Sequence, residues 1–435
     1  MVDFGLLSLD MGNLKDVDDE AEFSNGIADL HIDGSRGHTE AEAGDDDEEA
    51  ENLLVGLGFV QPVEDSEKWK VERQHFPSKV GGCPAWLDPI NIPTGEQSTC
   101  GICDSPLEFL LQVYAPIDDI DDAFHRSLFV FVCPNASCLE QDRHHQSKKP
   151  EENPRRCVKV FRSQLLRKNS YYSYTPPSGE DDLPISEGAA LCTWCGIWKG
   201  HKACAACKQT KYCSRSHQVE HWRGSHAVYC RQVQAARKEG KMDVNIPVCS
   251  PGPVSDKLWP EMELVVDEED NYEVDELSDP NANVPASDKT KSKAQLLLED
   301  YERRREAGEE FTAADLEDVH EASQDMQLWA AFLAKIGKAP DQVLRYCRSP
   351  AAKPLWLSLN GQPENSGIPS CSHCGSRRIF EFQVLPQLLN FLDFKDEANS
   401  LDWGTIAVYT CERSCGEGVG KGYAEEFAWV QPPPE

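Results

Sequence analysis

The chain is short of positive charge and has no long apolar run. Against 75 Asp and Glu stand 43 Lys and Arg, a formal charge of -32. A surface of that sign repels phosphate, so neither nucleic acid nor anionic lipid is an expected ligand. Apolar runs such as Leu128–Cys133 are strand-sized, far below the roughly 20 residues a membrane-crossing helix needs. Met1–Asp10 lacks the basic flank and apolar centre of a secretory leader. Also missing are a Gly-x4-Gly-Lys-Ser/Thr phosphate loop, a Gly-x-Ser-x-Gly elbow and a His-Glu-x2-His helix. The expectation is therefore a non-enzyme. With 40% hydrophobic residues and a mean hydropathy of -0.54, it is expected in the cytoplasm, with passage to the nucleus left open.

Cysteine is plentiful: 18 residues, many in pairs with two residues between them. Without a leader such pairs read as metal ligands in a reducing compartment rather than as a disulfide scaffold. The densest set runs Cys192-x2-Cys195, Cys204-x2-Cys207, Tyr212-Cys213-x3-His217 and His226-x3-Cys230. Zinc takes four thiolate or imidazole ligands tetrahedrally at about 2.0 to 2.3 Å, which suits paired ligands on short turns. In so short a segment the pairs are used alternately. Cys192, Cys195, Cys213 and His217 are assigned to one zinc, and Cys204, Cys207, His226 and Cys230 to the other. His221 competes with His217, while His201 reads as an exposed loop residue. Four protein ligands leave no open position, so both sites are structural. Two looser sets offer further Cys₄ zinc sites: Cys100, Cys103, Cys133 and Cys138, and Cys371, Cys374, Cys411 and Cys415. Their other reading is as buried reduced thiols. Cys83, Cys157, Cys249 and Cys347 fit no ligand pattern.

The pattern along the chain divides it into six parts. Residues 1–50 are an acidic tail expected to be disordered. In 51–186, Leu107, Phe109, Leu111 and Val113 share a face, Phe129 and Phe131 another, and Val158, Val160 and Phe161 follow, all at strand spacing. The finger occupies 187–232 and an acidic linker 233–293. Helical spacing of Leu296, Leu297 and Tyr301, then Trp329, Phe332, Leu333 and Ile336, marks 294–348, its apolar stripe reading as a packing face. Strands return in 349–435. A weak repeat links the two strand regions. Cys100-x2-Cys103 lies as far ahead of Phe109, Leu111 and Gln112-Val113 as Cys371-x2-Cys374 lies ahead of Phe380, Phe382 and Gln383-Val384. The fold expected is α+β and β-rich: a duplicated β-unit, split by the finger and the acidic insert, that packs as one domain.

The cysteine module, with Tyr212 before the fifth ligand and Gln218-x3-Trp222 before the last His, resembles the MYND zinc finger. It departs from that pattern in carrying His217 where Cys is usual. Phe76-Pro77-Ser78-Lys79-Val80-Gly81-Gly82, Pro84-Ala85-Trp86-Leu87, Phe109-Leu110-Leu111-Gln112-Val113-Tyr114-Ala115-Pro116 and Phe161-Arg162-Ser163-Gln164-Leu165 resemble the programmed cell death protein 2 family. So do Arg378–Val384, Asp402-Trp403-Gly404 and Gly422-Tyr423-Ala424-Glu425-Glu426-Phe427. The resemblance implies a split β-barrel-like domain with the finger inserted. It also implies a dedicated chaperone of the small-subunit ribosomal protein uS5, acting in 40S ribosome assembly. A basic client agrees with the charge. An open strand edge or the cleft between the β-units is the expected client surface. The competing reading is a MYND adaptor that recruits regulatory proteins through proline-containing peptides at Gln218 and Trp222, although Trp222 can equally pack on the second zinc knuckle. Direct nucleic-acid binding through Lys199, Lys202, Lys208, Lys211, Arg215 and Arg223 is not expected. Gly308-Glu309-Glu310-Phe311 faintly echoes SET-type methyltransferases, but no Asn-His dipeptide accompanies it.

Overall fold

The computed structural model describes residues 53–146, 155–179, 188–238, 254–272, 303–304, 313–364, 367–394, 400–416 and 422–434. The acidic tail, Cys249, Leu296, Leu297, Tyr301 and Gly308–Phe311 lie outside the described residues. Aromatic and β-branched runs form the strands. Before the finger come β1 (Gly56–Pro62), β2 (Lys79–Val80), β3 (Glu108–Tyr114), β4 (His125–Val132) and β5 (Val158–Leu165). Within it lie β6 (Lys202–Ala203) and β7 (Lys211–Tyr212), and after it β8 (Met262–Glu268), β9 (Leu344–Tyr346), β10 (Arg378–Val384), β11 (Thr405–Cys411) and β12 (Tyr423–Gln431). The helices are α1 (Ala136–Gln146), α2 (Arg215–His221), α3 (Ala227–Lys238) and α4 (Ala313–Lys338).

All the described strands except the β6–β7 pair close into one barrel in the order β1-β8-β2-β3-β4-β5-β12-β11-β10-β9, with β9 returning to β1. Neighbours pair antiparallel throughout. The duplication is visible in detail. The β3–β4 register slips between Phe109 and Leu111, and the β10–β11 register slips between Phe380 and Phe382. Lys79 on β2 faces Gln112, as Arg345 on β9 faces Gln383. Each glutamine then secures a loop. Gln112 accepts from the Ala85 amide at 2.8 Å and donates to the Pro77 carbonyl at 2.8 Å; Gln383 accepts from the Leu355 amide at 2.6 Å and donates to its carbonyl at 3.0 Å.

The two repeats exchange their first strands. β1 pairs with β9 and β8 with β2, and β1 and β8 pair with each other, so each half is completed by a strand of the other. The opposite seam joins β5 to Tyr423–Glu426 of β12. Beyond it, among the described residues, β12 has no strand partner on that side, and side chains take over its backbone. Gln146 at the end of α1 accepts from the Val430 amide at 3.0 Å and donates to the Val430 carbonyl, while Arg156 donates to the Ala428 carbonyl at 2.8 Å.

Buried ion pairs cross between the halves. Arg126 of β4 binds Glu381 of β10 through two hydrogen bonds of 2.5 and 2.7 Å, both side chains fully buried. Tyr346 donates to the same carboxylate at 3.0 Å, and so does the Thr410 hydroxyl. Glu426 of β12 bridges Arg162 at 2.7 Å and Arg378 at 2.9 Å. Burial alone would raise the Glu381 carboxyl, but the Arg126 guanidinium overrides it and holds the group at about 2.

Three expectations are corrected. The acidic linker 233–293 contains the end of α3 and the whole of β8. Met262 and Leu264 alternate inward there, but the surrounding Asp and Glu hide a seven-residue strand from any composition averaged over the segment. The helical stretch 294–348 holds α4 and also, at its end, β9, whose three residues are too few to show a period. With β8 and β9 in place the described strands close into a ring with no cleft between the units among the described residues, and the β12 edge past Glu426 is covered by Gln146 and Arg156 rather than open. Within the Phe76–Gly82 motif Gly81 is structural: it has φ +64°, and a Cβ there would lie 2.0 Å from the Pro260 carbonyl oxygen, so this backbone crossing admits only glycine.

Candidate metal centres

The finger is seated on the barrel. Trp198 is 1% exposed, donates through Nε1 to the Leu107 carbonyl at 2.7 Å, and its ring centre lies 4.4 Å from that of Phe131. Trp86 of the barrel donates in return to the Ile197 carbonyl at 2.8 Å. The Val254 and Ser255 amides donate to the Trp194 carbonyl, which fixes the chain that leads into β8.

Local geometry aims the ligands. At each Cys-x2-Cys pair the amide of the residue after the second cysteine donates to the carbonyl of the first: Gly196 to Cys192 at 2.8 Å and Lys208 to Cys204 at 2.9 Å. That residue has positive φ, +68° at Gly196 and +58° at Lys208, which curls the turn so that both sulfurs face one point. Cys213 precedes the Ser214 cap of α2, whose hydroxyl accepts from the His217 amide at 3.1 Å, so Cys213 and His217 flank one helical turn. A π-helical turn, Trp222–His226, joins α2 to α3 and places His226 and Cys230 four residues apart on one helix face.

The structure brings Cys192, Cys195, Cys213 and His217 together, and separately Cys204, Cys207, His226 and Cys230, with the ligand atoms of each set within 4.8 Å of one another. Cys195 and Cys213 sulfurs are 3.9 Å apart, as are those of Cys204 and Cys230. His217 Nδ1 lies 3.2 Å from the Cys213 sulfur, and His226 Nε2 lies 3.5 Å from that of Cys207. A tetrahedron with Zn–S of about 2.3 Å has edges of about 3.8 Å, and a disulfide needs about 2.05 Å, so these donor sets fit zinc. Electrostatics agree. The neighbouring Cys195 sulfur draws the Cys192 thiol well down, whereas burial pushes the Cys195 thiol well up. Four crowded thiols and imidazoles of this kind ionise together only around a cation. Burial also lowers His226, which favours the neutral imidazole a metal takes.

His221 does not join either set. It is buried with Nδ1 3.1 Å from the Tyr212 hydroxyl, and that contact turns it away from the ligands that His217 meets. His201 is exposed. Gln218 is half-buried and accepts from Arg215 at 2.9 Å. Trp222 meets the His226 ring edge-on at 5.9 Å yet is 46% exposed, so one side packs on the second knuckle and the other is open to solvent. Lys199, Lys202, Lys208, Lys211, Arg215 and Arg223 are all exposed.

The looser cysteine sets also converge. Cys100, Cys103, Cys133 and Cys138 form one group, and Cys371, Cys374, Cys411 and Cys415 another. Cys83, Cys157 and Cys347 join none of the four groups; Cys83 points its thiol at the Cys195 carbonyl, 3.5 Å away. Sequence reasoning missed a cavity of about 420 Å³ beside β8, walled by Phe76, Tyr114, Phe124, His125, Tyr174 and Val265. Burial lowers His125 to about 4, and its Nδ1 lies 3.0 Å from the Tyr114 hydroxyl. The clue was Phe76 within its Pro-Ser-Lys-Val-Gly-Gly context, but nothing in a sequence reports that Phe76 takes a φ of +49° and stacks on His125 at 4.2 Å.

Three family models match the chain: the programmed cell death protein 2 N-terminal domain over residues 54–179, the MYND finger over 192–230, and the programmed cell death protein 2 C-terminal putative domain over 326–432. Programmed cell death protein 2 of Rattus norvegicus is 38% identical over 388 residues, which cover 87% of this chain and 96% of the rat protein. The Mus musculus protein of that name is 38% identical over 386 residues, 87% of this chain and 96% of its own. A probable 20S rRNA accumulation protein 4 of Schizosaccharomyces pombe is 35% identical over 113 residues, 23% of this chain and 27% of that protein. No solved structure matches the chain.

Proposed function

Because the chain belongs to the programmed cell death protein 2 family and carries a MYND finger, we propose that it is a non-enzymatic, zinc-stabilised chaperone dedicated to one basic ribosomal protein of the small subunit, uS5, and acts in 40S ribosome assembly. The observation that carries the ribosomal part is the similarity to a fission yeast protein named for 20S rRNA accumulation. The charge supports it: a chain at -32 attracts a cationic client over the Debye length, speeding encounter and screening the client from RNA. Each finger set holds one zinc ion, which supplies folding free energy and no chemistry. The chaperone works in the cytoplasm and accompanies its cargo into the nucleus. Client contact falls on surfaces outside the closed ring, and the cavity at Phe76 and Tyr174 is a concave, largely apolar place for it.

One observation favours a second reading, the adaptor: Trp222 keeps 46% of its surface in solvent beside Gln218. Affinity purification of the intact protein with and without ribonuclease separates the two. Recovery of one small-subunit protein, insensitive to ribonuclease and free of the rest of the ribosome, is the outcome expected of the chaperone. Enrichment of regulatory proteins with proline-containing segments, and of no ribosomal protein, means that the adaptor is right.

A further inference from the structure

The Cys100 and Cys371 turns are built like the two knuckles of the finger. The Asp104 amide donates to the Cys100 carbonyl at 3.0 Å, and the Gly375 amide to the Cys371 carbonyl at 2.9 Å. Asp104 and Gly375 have φ of +60° and +71°, as Gly196 and Lys208 do at the same place. The chain then doubles back alike: the Cys100 amide donates to Ser105, Cys371 to Ser376 and Cys204 to Thr210, at 2.8, 2.8 and 3.0 Å. Four turns thus share one backbone shape, and two of them lie in the matched finger.

The second pair of each set comes from the end of the neighbouring strand. Cys133 follows β4 and Cys138 sits in the first turn of α1; Cys411 ends β11 and Cys415 lies four residues on. Cys103 and Cys133 sulfurs are 3.7 Å apart, Cys371 and Cys415 3.5 Å, and Cys374 and Cys411 3.5 Å. These are the edges of a zinc thiolate tetrahedron and far too long for disulfides. Packing does not account for them either. Cys103 and Cys374 are exposed, so no burial of apolar surface holds their sulfurs against three others.

The geometry points to one structural zinc ion in each half of the barrel, held by Cys100, Cys103, Cys133 and Cys138 in the first and by Cys371, Cys374, Cys411 and Cys415 in the second. Each ion ties the loop before one strand to the end of the next, β3 to β4 and β10 to β11. The thiols give up protons to solvent as the metal binds. The second site has a further reach. Its Cys411–Cys415 loop holds Ser414 at φ +45°, where the hydroxyl accepts from Arg126 Nε at 3.0 Å and donates to Gln164 at 2.8 Å. That zinc therefore positions a partner of the ion pair that joins the halves.

Zinc per chain, measured by elemental analysis of the full-length protein, tests this. The expected count is four, of which two rest on the reading of the finger. The Cys100→Ser/Cys103→Ser and Cys371→Ser/Cys374→Ser pairs should each lower it to three, and Cys374→His, at an exposed position, should keep it at four. The finger pair Cys204→Ser/Cys207→Ser should independently give three. A folded wild-type protein with two ions, one of them lost in the finger variant, overturns the proposal and leaves the finger reading intact. Two ions lost instead through the barrel variants refutes the finger reading. Three overturns the proposal for whichever half does not lower the count.

Discussion

Glu381 and Arg126 show what a single residue does here. They are 255 positions apart and fully buried, and the Arg126 guanidinium is what keeps Glu381 ionised there. Replacing Arg126 with Ala strands a carboxylate in the interior, and urea unfolding should show a loss of about 3 to 5 kcal/mol. The pH dependence follows from the direction of the shift. The folded-state value, about 2, lies below the ordinary 4.5, so the contribution is complete above pH 4.5 and is lost as pH falls from there through about 2. Glu381→Gln should start less stable at neutral pH and lose less over that interval; parallel curves for the two proteins would show that the pair is not the titrating unit. Nothing in the sequence announced this pair, because its partners meet only through the barrel. The Cys and His sets that the structure brings together were legible because metal geometry favours short spacings between donors. Spacing alone left His217 and His221 open, and the choice between them comes from the Tyr212 hydroxyl.

Among elements, legibility followed length and contrast. β3, β4, β5, β10 and β11 carry seven or eight residues of apolar pattern and were read from it, whereas Tyr423–Phe427 of β12 entered only through the family resemblance. β2 and β9, with two and three residues, carry none, and β8 was masked by its acidic surroundings. Since β8 closes the ring between β1 and β2, Leu264→Ala, at a 4% exposed site, should cost about 2 to 5 kcal/mol, while Val265→Ala, at 37%, should change stability by about 0.5 kcal/mol or less. Equal effects would mean that 262–268 is a tether after all. The finger is likewise an element of the core rather than an appendage. Trp198 lies three residues past Cys195 of the first donor set and is buried against Phe131. Cys195→Ser should therefore lower the barrel's own unfolding midpoint, whereas Cys204→Ser, in the second set, should loosen the finger and leave that midpoint nearly in place.

At the scale of the whole molecule, exchange of the first strands makes the barrel indivisible although the chain is a duplication. Residues 53–238 and 254–434, expressed singly, should each fail to give a folded monomer; expressed together, they should elute as one 1:1 species on size exclusion. A folded, soluble single half would contradict the exchanged topology. The duplication itself was legible in the spacing of Cys100 and Cys371 from their strands, but the exchange was not, because pairing between distant strands leaves no local trace. The net charge of -32 belongs to this scale too. On the proposed reading, association with a basic client should slow as salt rises, and a salt-independent rate would count against an electrostatic capture.

The most direct test is to synthesise uS5 with and without the purified full-length chain and to separate the soluble product by size exclusion, with a second basic small-subunit protein as comparison. The expected result is that uS5 aggregates alone, remains soluble in a discrete complex with this chain, and is protected where the comparison protein is not. Aggregation of uS5 regardless of the chain, or equal protection of both proteins, would contradict a dedicated chaperone.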